Sequence, residues 1–292
     1  MPQNPSLMIF LHPCFFVWEI PSFIEAPFLF ILMTDISMTL LDRVEMDRDR
    51  RITRARSDLL KKSITDSIDA FDIEHEVKEI KGNNVTWLQV KLRGEDAVAA
   101  ANFLKLKHGA KVMLFDVQEG TTIQRAKADA SGSTGFGMFF DIGLENKHAL
   151  YPLYRMRDQL TNGKKIPARK LAKMFGFCDG FGFPVLVTEV DEQSKIFVEL
   201  DARVVDEFAT WRDDALDRVL CHGETKEGIE RVITSSGAKK EHIMVQEAGF
   251  LDCIITCDSR TEGAGIISLI GPALSHVKLA VFKAAEVNKA LA

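Results

Sequence analysis

From residue 38 the chain switches repeatedly between a two-residue and a helical hydrophobic period. Residues 38–46 read as a strand. Residues 47–70 read as a helix, with Ile52, Ala55, Leu59, Ile64 and Ile68 on one face and Arg50, Arg51, Arg54, Lys61 and Lys62 on the other. Segments 73–80 and 85–92 alternate like strands around Gly82-Asn83-Asn84, a hairpin signal. Residues 94–108 are alanine-rich and helical, Gly109 supplies a stop, and 111–115 predicts a last short strand. The order is β-α-β-β-α-β, the pattern of a ferredoxin-like plait. The same order returns later. A strand at 218–222 and a helix at 225–236 precede a hairpin of 242–248 and 251–257. A helix at 263–274, a strand at 277–282 and a terminal helix at 284–291 follow. No residue-by-residue repeat accompanies the shared order, so it does not establish a duplication.

Between these modules the period is that of strands: 121–130, 136–142, 149–154, 184–190 and 195–200. Five strands with a glycine-rich first turn fit an OB-type barrel. The expected organisation is an α+β chain with an apolar extension over 1–37, an α/β module over 38–115, a barrel over 116–204 and a second α/β module over 205–292.

Composition narrows the classes. The chain has 292 residues, ample for several cores, and a net charge of −5, which argues against nucleic-acid binding by the whole surface. Five scattered cysteines do not form a disulfide framework, and a reducing cytoplasm is the simplest compartment. The apolar stretch 7–33 is broken by Pro13, Pro21, Pro27, Glu19 and Glu25, too often for a membrane helix. No Lys or Arg precedes Arg43, so a secretory leader is not indicated either. Translation starting at Met33 or Met38 would account for this extension.

Charge is not spread evenly. Residues 147–173 carry eight basic side chains against Asp158 alone, a net +7, leaving −12 on the rest of the chain. Pro167 suits the start of a helix, and Arg169 and Lys173 fall one turn apart. The predicted helix over 164–173 would show phosphates a basic face beside the barrel. A solvated charged face, or one paired with the acidic flanks, is the alternative. In the second barrel strand, alternation puts Met138, Phe140 and Ile142 inside. A bulge at Gly137 would turn Phe136 and Phe139 outward together. Exposed rings at a barrel rim can stack bases; the competing account is that these phenylalanines are core.

The segment Gly135-Phe136-Gly137-Met138-Phe139-Phe140-Asp141, with Val190-Asp191-Glu192-Gln193-Ser194-Lys195-Ile196, resembles the S1-type RNA-binding domain. That resemblance implies base stacking by Phe136 and Phe139 and polar contacts by Asp191 and Lys195. S1 domains carry a third-strand histidine where this chain has Pro152, so Tyr151 or Tyr154 would have to substitute. The third-to-fourth connection is also much longer than usual. From Met38 the chain further resembles, through residues 151–169 and 261–272, an archaeal family of unknown function with an S1-like centre.

Other constellations are weaker. Cys221, His222, Cys253 and Cys257 lack the knuckle turn of structural zinc sites, and buried small apolar cysteines explain them. Residues 260–265 could hold an anion at a helix start, or serve only as a tight turn. The expectation is a non-enzymatic RNA-binding protein without a cofactor, acting in archaeal translation or RNA metabolism. Its contacts would be Phe136, Phe139, Tyr151, Tyr154, Arg155, Arg157, Lys164, Lys165, Arg169, Lys173, Asp191 and Lys195. Docking on ribosomal or RNA-polymerase proteins is the first alternative. The second is an enzyme with Asp258, Arg260 and Glu262 in a site between barrel and C-terminal module.

Overall fold

A computed structural model describes residues 34–46, 50–82, 84–144, 147–237 and 243–292. The apolar extension up to residue 33, the predicted helix start at 47–49 and the central Asn83 of the hairpin signal fall outside them. The fold is mixed α+β, with three sheets among the described residues. No described helix is long and apolar enough to cross a membrane.

The N-terminal sheet has the order β1-β3-β2, from β1 (Thr34–Glu45), β2 (Ile73–Lys81) and β3 (Val85–Gly94), all antiparallel. Residues 34–37, expected to belong to the extension, are the first four residues of β1. Helices α1 (Arg50–Ile68) and α2 (Ala97–His108) cover the sheet. The buried stripe of α1 runs through Ser57, Leu60, Ile64 and Ile68, while Ile52 and Leu59 are exposed. The predicted stripe was therefore right only in its second half. The strand predicted at 111–115 does not form. A single bridge, Leu40 to Ala110, touches the outer edge of β1, and Leu114–Asp116 is a 3-10 turn. Met113 and Phe115 project outward, Phe115 being 75% exposed, so this segment has no burial to hold it in the sheet.

The central strands are β4 (Thr122–Thr134), β5 (Gly137–Asp141), β6 (Ala149–Pro152), β7 (Gly182–Val190) and β8 (Ile196–Leu200). They pair in the cyclic order β4-β5-β6-β8-β7, with β7 returning to β4. Only β6 with β8 is parallel. The third strand is shorter than predicted, because the chain turns at Pro152 into α3 (Leu153–Thr161). Helix α4 (Ala168–Met174) follows, so residues 164–167 of the predicted basic helix are connecting chain.

An unpredicted helix, α5 (Ala202–Asp213), leaves the ring. The Asp201 carboxylate accepts from Arg203 N at its start, and Val204, Phe208 and Trp211 bury its inner face. The C-terminal module then follows its predicted order: β9 (Arg218–His222), α6 (Lys226–Ser235), β10 (Ile243–Gly249), β11 (Asp252–Cys257), α7 (Gly263–Ile270), β12 (Lys278–Phe282) and α8 (Ala284–Leu291). Its sheet order is β10-β11-β9-β12. Phe175, Phe208, Trp211 and Phe282 pack together, which joins the ring to this sheet through one core.

Candidate nucleic-acid interface

Phe136 and Phe139 lie side by side on the outside of the ring. Their ring centroids are 6.1 Å apart and nearly perpendicular. Phe136 is 59% exposed and Phe139 half-buried, whereas Met138 and Phe140 fill the interior. The irregularity that allows this is not in β5, as the sequence suggested. Asp129 pairs with Phe139 and Thr134 with Gly137, so the extra residues are in β4. Gly137 is still required. A Cβ there would collide with the Tyr151 carbonyl oxygen on β6.

Tyr151 is the clearest correction among the expected contacts. It is fully buried, and its hydroxyl donates to Gln159 Oε1 at 2.8 Å. Alternation explains the reversal: Tyr151 shares the inward face of β6 with Ala149. Tyr154 is 57% exposed. The preceding residue, Leu153, donates its N–H to the Phe136 carbonyl at 2.7 Å, so Tyr154 stands next to the aromatic corner. The Arg155 guanidinium lies 5.7 Å from the Tyr154 ring centroid and pairs with Glu199 at 3.0 Å.

The remaining basic residues divide into tethered and free. Arg157 Nε donates to the Ile166 carbonyl and holds the α3–α4 connection. Lys164 and Lys165 are exposed on that connection. On α4, Arg169 Nε donates to the Ser133 carbonyl at 3.2 Å, beside the turn that carries Phe136. Lys173 stands exposed one turn further on. Asp191 is a turn organiser: its Oδ1 accepts from Gln193 N and Lys195 N at 2.9 and 2.7 Å. Lys195 is exposed, with Nζ 4.0 Å from Asp191.

Sequence reasoning missed a buried charge cluster at the meeting of the three sheets. Asp42 (β1) and Asp252 (β11) are fully buried, and Arg125 and Lys127 (β4) nearly so. Asp252 Oδ2 accepts from Arg125 Nη2 at 2.5 Å and Gly182 N at 2.9 Å, and its Oδ1 shares a hydrogen bond with His222 Nδ1 at 2.5 Å. Asp42 accepts from Lys127 Nζ at 2.8 Å and contacts His108 Nδ1 at 3.2 Å. Burial alone would raise both acids. The fields of Lys127 and Arg125 outweigh it and hold both well below the usual carboxylate range. Gly249 lies against the Arg125 guanidinium, where a Cβ would collide. The sequence signal was a lone acid inside apolar strands, Leu40-Leu41-Asp42 and Leu251-Asp252-Cys253.

Arg125 also lines a cleft of about 650 Å³ with Gln124, Arg203, Glu207, Trp211 and Glu247. Asp258, Arg260 and Glu262 do not line it. Asp258 Oδ1 instead accepts from Arg260 N and Thr261 Oγ1 in its own turn. The helix start considered for an anion is filled from within: Asp217 Oδ2 accepts from Gly263 N at 3.0 Å, and its Oδ1 from Ala284 N at 3.2 Å. Cys221 faces Cys253 across β9 and β11, and both are buried among aliphatic side chains. Burial pushes the Cys253 thiol up to about 12 and the Cys221 thiol well above its ordinary value. No group of three or more metal-ligating side chains is present among the described residues.

Residues 216–282, from just before β9 to the end of β12, match the family model described as the DUF2110 C-terminal domain, a family of unknown function. No curated protein and no solved structure matches the chain.

Proposed function

We propose that the protein binds single-stranded RNA on the outer face of its central ring, without catalysing a reaction. It would serve translation or RNA metabolism in an archaeal cytoplasm. The observation that carries this reading is the Phe136–Phe139 pair at a solvent-facing corner, with Arg169 bonded beside it. Rings supply sequence-tolerant stacking and the neighbouring cations meet phosphates. The cyclic strand order with one parallel pair, third with fifth, supports an S1-like OB barrel. The C-terminal order supports a ferredoxin-like module, and the N-terminal three strands a reduced one.

Fluorescence anisotropy with a labelled 15-nucleotide RNA tests the reading. Phe136→Ala with Phe139→Ala is expected to weaken binding by about 1–3 kcal/mol per stacked base. The slope of log affinity against log salt should be about −0.7 for each phosphate engaged. Tyr151→Phe, inside the ring, should leave affinity within about twofold of wild type, because its change is not at the surface. Binding that ignores salt, or no binding, overturns the proposal.

Exposed Met113 and Phe115 favour a second reading, docking on a ribosomal or RNA-polymerase protein. Association that survives nuclease treatment and the Phe136/Phe139 substitutions, but is lost with Phe115→Ser, would favour it.

A further inference from the structure

We propose that the groove between α4 and the free edge of β12 carries the RNA backbone away from the aromatic corner, so that Lys278 and Lys283 of the C-terminal module complete the phosphate contacts. This inference rests on the RNA reading above and extends it to a second module.

The groove encloses about 700 Å³. One wall is Arg169 and Lys173 of α4, and the other is Lys278 to Val281 with Lys283. β12 ends its sheet, since among the described residues β9 is its only strand neighbour. The two walls touch at one end, where Phe175 bridges Phe282 and Lys283 N donates to the Met174 carbonyl at 2.9 Å. Away from that contact they separate, which leaves the edge of β12 facing the groove.

Charge favours a polyanion over other occupants. Four cations line the groove against Asp179, whose Oδ1 is already engaged by Ser131 N at 2.8 Å. Lys173 and Lys278 pair with no carboxylate among the described residues, while Lys283 reaches Glu286 at 2.7 Å. A cationic groove on a chain of net charge −5 is a local field, not a general one. Arg169 belongs to both places. It lines the groove and bonds Ser133, three residues before Phe136, so a strand stacked on Phe136 meets the groove mouth at Arg169.

RNA length separates this inference from the reading beneath it. Lys278→Ala with Lys283→Ala should weaken a 15-nucleotide RNA about 25-fold at 0.1 M salt and make its salt slope shallower by about 1.4, two contacts' worth for a single strand. A 5-nucleotide RNA, long enough only for the corner, should be unaffected. Phe136→Ala with Phe139→Ala should weaken both lengths. Lys278→Arg with Lys283→Arg should retain wild-type affinity, which separates lost charge from lost folding. An unchanged slope in the Lys278/Lys283 alanine variant, with the aromatic effect intact, overturns the groove path alone. If wild type binds neither length, both proposals fall. If a polyglutamate peptide binds and only that binding is lost in the lysine variant, the groove takes acidic protein segments and the inference is overturned.

Discussion

Asp252→Ala will lower stability by about 3–5 kcal/mol, measured as a fall in the urea midpoint at neutral pH. The cost comes from what the substitution leaves behind. Arg125 and Lys127 are buried in the seam between the three sheets, and each depends on the same two carboxylates. Removing Asp252 leaves two nearly buried cations facing Asp42 alone. It also frees the Gly182 N–H and the His222 ring from their acceptor. An effect below about 1 kcal/mol would mean that solvent reaches the seam after all. Such a cluster is weak evidence of net stability in itself, since apolar residues could fill the space equally well. Its breakage is what is expensive.

The same cluster sets an acid limit. Asp42 and Asp252 are held below their ordinary value of 3.8 in the folded chain. A depressed native pKa contributes stability that is complete above the unfolded value and is lost as pH falls through the folded one. Stability should therefore be level near neutrality and drop steeply once the pH goes below about 4. Asp252→Ala should flatten that drop, because one of the two linked groups is gone. Urea midpoints across an acid pH series read both effects. Parallel curves for the variant and wild type would exclude the cluster as the origin of acid sensitivity.

Local pattern made most elements legible, and long-range pairing decided the rest. Residues 218–222 and 284–291 were readable because alternation or helical spacing ran to a clean stop. Helix α5 was missed although Val204, Phe208 and Trp211 have helical spacing after the Asp201 cap. It follows β8 with only Asp201 between strand and helix, so no turn-rich break marks its start. The strand expected at 111–115 had the right residue types, but nothing on the fold covers Phe115. At the candidate site, the outward face of Phe139 follows from alternation within β5, whereas Phe136 precedes the strand and its exposure depends on the extra residues in β4, which the sequence reading had put at Gly137. Tyr151 was misplaced because the S1 resemblance fixes a strand position and not which face it presents. The basic groove and the Asp42–Asp252 cluster come together only through long-range contacts, such as Lys127 with Asp42 across 85 positions and Arg125 with Asp252 across 127, which no local pattern encodes.

Phe282→Ala should cost about 3–5 kcal/mol, as large buried aromatic truncations do. Phe282 has no solvent exposure, and its ring centroid lies 5.8 Å from Phe175, 5.7 Å from Phe208 and 5.3 Å from Trp211. Phe175 comes from the end of α4 and Phe208 and Trp211 from α5, so the truncation empties the joint between ring and C-terminal sheet. Far-UV circular dichroism and tryptophan fluorescence in urea would read the loss, and a cost under about 1 kcal/mol would mean that the neighbours close over the space. The functional consequence is separable from the thermodynamic one. Phe282 also pairs with Phe175 at the closed end of the basic groove. Loosening that end lets β12 move away from α4 while Phe136 and Phe139, held by β4–β5 pairing, stay in place. In conditions where the variant is still folded, its salt slope on long RNA should therefore approach that of the Lys278/Lys283 alanine variant, with binding of short RNA preserved. Equal loss on both lengths would instead place the aromatic corner under the control of the same joint.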